Sequence, residues 1–231
     1  MSIFHTAELS CPNCGTENEV SWAASVNADR RSDLRDSILD GSFQAHECTH
    51  CGTRLRLPAH LTYLDIGRRN WIVLEDAELI GDWATQEAET QALFDTTFGA
   101  GAPAMARSLA DGLQPRLVYG WPALREKLRV TDYGLDDVTL ELLKLALMRG
   151  AAGTPVGPGV ALRLVAASDA SLTFDATDEQ TEASLGAAVV PRSLYNDIKG
   201  DAETWAALRA ELTNRVFVDI NRLMMPSKSQ V

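Results

Sequence analysis

Long apolar runs are missing from this chain of 231 residues. Nothing in it approaches the roughly 18–20 consecutive apolar residues of a membrane span, so no membrane role is expected. The N-terminus carries neither the basic run nor the apolar stretch of a secretory leader, which points to a cytoplasmic, reducing setting. No serine sits in a Gly-x-Ser-x-Gly elbow, and no Gly-Lys-Ser/Thr follows a glycine-rich loop. Nucleophile-elbow hydrolysis and P-loop nucleotide binding are thereby disfavoured. Basic residues are short as well: Lys and Arg number 21 against 32 Asp and Glu, a formal charge of −11. Nucleic-acid binding by a metal-stapled ribbon rests on a basic face that displaces counterions. Local positive charge is confined to Arg30-Arg31, Arg54/Arg56 and Arg68-Arg69, which a solvated hairpin surface explains.

Cysteine is scarce too, yet its placement says the most. The chain has 4 cysteines, and all fall in two knuckles, Cys11-Pro12-Asn13-Cys14-Gly15 and Cys48-Thr49-His50-Cys51-Gly52. Two intervening residues let one tight turn aim both sulfurs at a single ion, and the turn's amides face the thiolates. The glycine after each second cysteine permits a positive φ that a side chain would make costly. Cys11, Cys14, Cys48 and Cys51 therefore form the ligand set expected of one structural zinc ion. A disulfide framework needs an oxidising compartment, and a thioredoxin-like pair needs a helix opening on a Cys-x-x-Cys, where these knuckles have strand-like flanks. Iron of the rubredoxin type uses the same ligands and stays open. Four thiolates close the shell, leaving no position for a catalytic water, and on Zn²⁺ they would add about two negative charges. His46 and His50 lie near the metal without being needed by it, and His5 and His60 have no partner pattern. The knuckles stand a little over thirty residues apart, beyond the roughly 15–20 of a compact ribbon, so an element is inserted between them.

Around the knuckles the pattern alternates like strands. Ile3, His5, Ala7 and Leu9 share one face before the first knuckle, and Val20, Trp22, Ala24 and Val26 share one after it. Ser32 is placed to cap a short helix carrying Leu34, Ile38 and Leu39, ended by Gly41. Phe43–His46 reads as the strand entering the second knuckle, and Arg54–Leu57 as the one leaving it, stopped by Pro58. A hairpin follows, Leu61–Ile66 against Trp71–Leu74.

The two knuckles, Ser37-Ile38-Leu39-Asp40-Gly41 and Leu61-Thr62-Tyr63-Leu64-Asp65 together resemble the CpXC domain, a bacterial family named for paired Cys-Pro-x-Cys motifs. The first knuckle matches fully, and the second has Thr49 where proline is usual. Leu124-Arg125-Glu126-Lys127-Leu128, Gly134-Leu135-Asp136-Asp137 and Glu141-Leu142-Leu143-Lys144 are similar to the end of longer members. The resemblance covers about residues 4–148 and implies metal binding.

The middle third reads as helical. Thr85 is placed to cap a helix through Leu93 and Phe94, and Pro103 to open the next, with Arg116–Tyr119 a short strand beyond them. Pro122 opens a further helix. The Asp136-Asp137 pair suits the positive end of an apolar helix through Leu140, Leu143 and Leu147, a better account than a catalytic dyad. Residues 150–159 are a glycine-rich linker. Two strands, 160–165 and 171–174, follow. A short helix begins near Pro191, and a long one capped by Asp201 runs through Trp205, Leu208, Leu212, Val216, Ile220 and Leu223. Trp205, Phe217, Met224 and Met225 are candidates for an interface on it. The expected fold class is α+β: a zinc-ribbon-like domain with a helical insert over 1–80, a helical region over 81–149, the linker 150–159, and a small C-terminal α/β segment over 160–231. The function expected is a non-catalytic module that docks a protein partner. An enzyme with its site between ribbon and helical region, or a transcription-associated ribbon, is the alternative.

Overall fold

The structure, a computed structural model, describes residues 2–55, 57, 59–150, 159–179 and 181–225. Its centre is a mixed five-stranded sheet in the order β1-β2-β5-β6-β7. β1 (Ile3–Ser10) and β2 (Glu17–Asn27) flank the first knuckle as an antiparallel pair. β5 (Leu61–Asp65) runs parallel to the end of β2 and antiparallel to β6 (Asn70–Glu75), so the expected hairpin is present. The expected strand at 116–119 is β7 (Gln114–Tyr119), parallel to β6. Between β2 and β5 lie α1 (Ser32–Asp40) and a two-stranded ribbon, β3 (His46–Glu47) with β4 (Arg54–Leu55), which carries the second knuckle.

Helices cover both faces of the large sheet, and β6 shows why its sequence, Trp71-Ile72-Val73-Leu74, is apolar without alternation. Ile72 and Leu74 face one cluster with Ile38 of α1 and with Leu124 and Leu128 of α4 (Gly120–Asp132). Trp71 and Val73 face the other, against Trp83 and Phe98 of α2 (Trp83–Phe98), with α3 (Ala104–Leu109) beside it. Gly120 takes φ +75° where β7 turns straight into α4; a Cβ there would lie 3.4 Å from Glu182 and 3.7 Å from Ala77.

A second, antiparallel sheet, β10-β9-β8, is built from β8 (Val160–Ala167), β9 (Ser171–Asp178) and β10 (Ser184–Pro191). Its inner face, with Leu162, Leu164, Leu172 and Phe174, packs on α5 (Asp137–Gly150), α6 (Arg192–Gly200) and α7 (Ala206–Leu212). The chain ends in α8 (Asn221–Met224) among the described residues. The class is mixed α and β, with eight α-helices and three sheets in the described residues.

Several expectations are corrected. In β2 the buried apolar residues are Val20, Ala23 and Val26, while Trp22 and Ala24 are only half-buried. Val20 packs in the knuckle cluster and Ala23 on the opposite face with Ile38 and Leu124. Phe4 pairs with Ala23 and Ile3 with Ser25, and the extra residue, Ala24, is a bulge that keeps Val26 on the face of Ala23. Ser32 does not cap α1, since Arg31 holds the cap position without a side-chain bond. Of the run 43–46 only His46 is strand, in β3, because Gln44 has φ 54° and turns the chain. α2 begins at Trp83, two residues before Thr85. β10 had no place in the sequence reading, its Leu185, Ala187 and Val189 lying on an exposed face. The long last helix is broken. α7 stops at Leu212, Thr213 is extended and Asn214 has φ 60°. Irregular backbone at 216–220 instead bonds to partners far away: Val216 O accepts from Leu117 N at 3.0 Å, and the Val216 and Phe217 amides donate to Glu87 at 3.0 Å each. Most of the 150–159 stretch and the tail from Pro226 lie outside the described residues.

Candidate metal centre

Each knuckle closes in the same way. Gly15 N donates to Cys11 O and Cys11 N to Thr16 O, both at 2.9 Å; Gly52 N donates to Cys48 O at 2.9 Å and Cys48 N to Thr53 O at 2.8 Å. These turns need the left-handed glycines, at φ 72° and 68°. Strands β1 and β2 present one knuckle to the other on the β3–β4 ribbon. The four sulfurs of Cys11, Cys14, Cys48 and Cys51 all lie within 4.8 Å of one another. Cys11–Cys51 and Cys14–Cys48 are 3.6 Å apart, and none of the four is disulfide-bonded.

That spacing fits a metal. Four ligands at about 2.3 Å from a tetrahedral ion stand about 3.8 Å from each other, whereas a disulfide needs about 2.05 Å. The four sulfurs thus lie within reach of a single metal ion. Burial pushes the Cys11 thiol up to about 11. The Cys51 backbone amide draws Cys48 down, and the Thr53 hydroxyl and amide, with the Asn13 side chain, draw Cys51 down to about 5. Hydrogen bonds to sulfur of this kind favour the thiolate that a metal requires.

Three supporting residues escaped the sequence reading. Asn18, 4% exposed, donates to Thr16 O at 2.7 Å and to Cys48 Sγ at 3.7 Å, and its Oδ1 accepts from Thr49 N at 2.9 Å and Thr49 Oγ1 at 3.0 Å. It brackets both knuckles together. Thr16 and Thr53 place hydroxyls 3.3 and 3.1 Å from Cys14 and Cys51, and a signal existed for them: both knuckles read Cys-x-x-Cys-Gly-Thr. Outer-shell partners of this kind are typically worth about 10–100-fold in metal affinity. Asn18→Ala is therefore expected to weaken binding by about that factor in chelator competition, and Asn13→Ala, on an exposed turn, by much less. Equal losses would show that the buried bracket has no special part.

The histidines stay outside this shell. His46 Nε2 is 2.8 Å from Ser21 O, and His60 Nδ1 is 3.0 Å from Glu75. Residues 46–50 also spell His-Glu-Cys-Thr-His, a match to His-Glu-x-x-His that the sequence reading passed over. That motif works by placing both imidazoles on one helix face; here the stretch is strand β3 and a knuckle turn.

A second cluster, of buried charges, joins α4, α5, β7, β8 and the 216–220 segment. Asp137 pairs with Arg116 at 2.7 Å and Lys127 at 3.2 Å. Lys144 holds Glu126 at 2.6 Å and Glu141 at 2.9 Å, and Arg163 bridges Glu126 at 3.2 Å and Asp219 at 3.1 Å. The remaining lone pairs and protons find backbone: Leu164 N donates to Glu126, Ile220 N to Glu141, and Lys127 to Val218 O. Four acids face four bases, all mutually paired. The Asp136-Asp137 pair thus divides: Asp136 caps α5 through Thr139 N at 2.7 Å, while Asp137 is an ion-pair partner and not a cap.

Fold and site together define a mixed α/β protein with a pair of cysteine knuckles whose four sulfurs converge. The chain belongs to the CpXC family: that family's model, described as CpXC protein, matches residues 9–144. The matched stretch runs from the first knuckle to Lys144 and so contains both the four cysteines and six members of the buried charge cluster. No curated protein and no solved structure matches the chain.

Proposed function

We propose that Cys11, Cys14, Cys48 and Cys51 hold one structural zinc ion, and that the stapled protein is a non-catalytic module that docks a protein partner in the cytoplasm. The observation that carries the metal reading is the cluster of four sulfurs at the edge lengths of a thiolate tetrahedron. With four protein ligands the shell is closed, so the ion supports fold and not hydrolysis. Thiols kept free suit a reducing compartment. No described helix is long and apolar enough to cross a membrane. The arginines that would attract nucleic acid are partly neutralised in place: Arg31 pairs with Asp33, and Arg68 with Asp65 and Asp132.

The partner reading needs a surface other than the one the sequence suggested. Phe217 is 1% exposed, Trp205 packs on the core and Met225 against another cluster, which leaves Met224 alone of the four exposed. Leu93 on α2, and Met105 and Leu109 on α3, do stand in solvent, Met105 being 77% exposed. Methionine and large apolar side chains in the open are typical of interface cores. The test has two arms. Metal analysis of protein from the native cell should give one zinc per chain, and iron or no metal there defeats the zinc reading. A partner co-purifying in fixed ratio should be lost from Met105→Asp and kept by Met224→Asp; retention by both variants defeats this surface.

An enzyme remains the second reading because a cavity of about 850 Å³ opens between Leu57 and Ala59, which follow the second knuckle, and the start of α4 at Gly120–Pro122.

A further inference from the structure

A second cavity, of about 510 Å³, adjoins the first and shares Leu57, Trp121, Arg163 and Glu182 with it. Four guanidinium groups line it: Arg163 of β8, which is held by Glu126 and Asp219, and three others from two elements, Arg54 of β4 and Arg125 and Arg129, one turn apart on α4. In a chain of charge −11 such a gathering calls for a cause. Part of it is the carbonyl end of α1, where Arg129 donates to Leu39 O at 3.1 Å and Arg54 to Gly41 O at 3.4 Å. These two bonds use a small share of the donors that three guanidiniums carry. Arg125 lies beside Gly41 and makes no hydrogen bond or ion pair to a protein group among the described residues.

The acids of the same cavity have other work. Asp40 accepts from Ser42 N at 2.8 Å, and Asp175 accepts from Ser184 at 2.5 Å and Thr177 at 3.3 Å. Glu182 tempers the field at Arg125 from the opposite wall. Even so, Arg125 is drawn below the usual guanidinium value, by burial first, with Arg129 and Arg54 adding to it. Like charges crowded at one place are relieved by an anion, and planar guanidinium forks suit phosphate oxygens in particular. Beside them stands an aromatic wall, Trp121, braced edge-on by Phe43 at 5.6 Å.

We propose that this cleft binds a small organic phosphate, its phosphoryl oxygens on Arg125, Arg129 and Arg54 and its apolar body along Trp121. The volume is within the roughly 300–1,000 Å³ of small-molecule sites. The proposal is independent of which metal the knuckles hold. Phenyl phosphate and inorganic phosphate are the probes, titrated calorimetrically into the full-length metal-loaded protein. Phenyl phosphate should bind saturably, one per chain, with inorganic phosphate at least about tenfold weaker for want of the ring. Arg125→Gln and Arg129→Gln should each weaken both probes by about tenfold or more, and Arg30→Gln, far from the cleft in an exposed turn, should weaken neither. Absence of saturable binding into the millimolar range overturns the proposal, as does equal affinity in the parent and Arg125→Gln. Equal affinity for the two probes overturns the part assigned to Trp121. Arg125→Gln removes no hydrogen bond or ion pair to the described residues and Arg129→Gln only the bond to Leu39 O, so both variants should keep the fold, which circular dichroism checks.

Discussion

Cys48→Ser should unfold the knuckle lobe and leave the rest of the protein standing. The core beneath the sulfurs is small: among the described residues, besides Cys11 and Cys48, it has only Val20 and Leu55 fully buried, with Ala7, Leu9 and Leu57 partly so. So few apolar groups cannot offset the conformational entropy of two turns and a two-residue ribbon. Structural zinc binds small peptides with about 10–16 kcal/mol of apparent free energy, as much as or more than the ~5–15 kcal/mol stability of a whole domain. By contrast, the clusters around β5–β7 and around β8–β9 draw nothing from the knuckles. Hydrogen exchange should therefore show protection lost over residues 9–21 and 46–55 and kept in α4, α5 and β6. A chelator acting on the parent should give the same map. If the variant melts like the parent and keeps its knuckles protected, the metal is not structural.

The second large effect is expected at Lys144, which is 1% exposed and holds two carboxylates. Lys144→Met keeps roughly the volume and removes the charge, leaving Glu126 and Glu141 facing each other across a dry site. Breaking one partner of a buried ion cluster costs about 3–5 kcal/mol, which in a protein of this size lowers the melting temperature by roughly 6–20 °C. Arg31→Ala is the control: its pair with Asp33 is 46% and 62% exposed, and such solvent-screened pairs contribute little to stability. Equal shifts from the two variants would mean that the cluster is far more hydrated than its geometry indicates.

Within the cluster the two glutamates should behave differently. Burial opposes the charge on Glu126, yet Lys144 and Arg163 keep it below the ordinary carboxylate value. Burial pushes Glu141 up to about 7 against the pull of Lys144, with Asp219 and Glu126 adding to the rise. A raised folded value means that Glu141 contributes stability when protonated, fully below its unfolded value of 4.5, and loses that contribution as the pH rises through about 7. Glu141→Gln should accordingly flatten the decline in stability between pH 4.5 and 7. Glu126→Gln should be the more damaging of the two at pH 6. Identical pH profiles for the parent and Glu141→Gln would remove this assignment.

The two knuckles were legible from the chain alone because their chemistry is local. Spacing, the following glycine and the threonine after it act over six residues, and no distant contact is needed to aim two sulfurs the same way. α1 with its glycine stop, the β5–β6 hairpin and the β8–β9 pair were legible for the same reason. What the sequence could not decide is whatever depended on residues far along the chain. Val20 and Ala23 of β2 are buried on opposite faces, one in the knuckle cluster and one in the cluster under α1 and α4, and a bulge at Ala24 keeps Val26 with Ala23. The apolar stripe from Trp205 to Leu223 has helical spacing throughout, yet Glu87, Leu117, Lys127 and Glu141 offer the 216–220 backbone better partners than its own helix would. Glu126, Asp137, Glu141 and Lys144 stood in a stretch matched to the family, but only the arrival of Arg163 and Asp219 from the other sheet made them a closed cluster. Arg54 is 71 residues from Arg125 in sequence, and only folding brings their charges to one cleft. Local turns follow from the covalent chain, whereas the pairing of buried charges and the choice between helix and strand follow from which surfaces tertiary packing brings together.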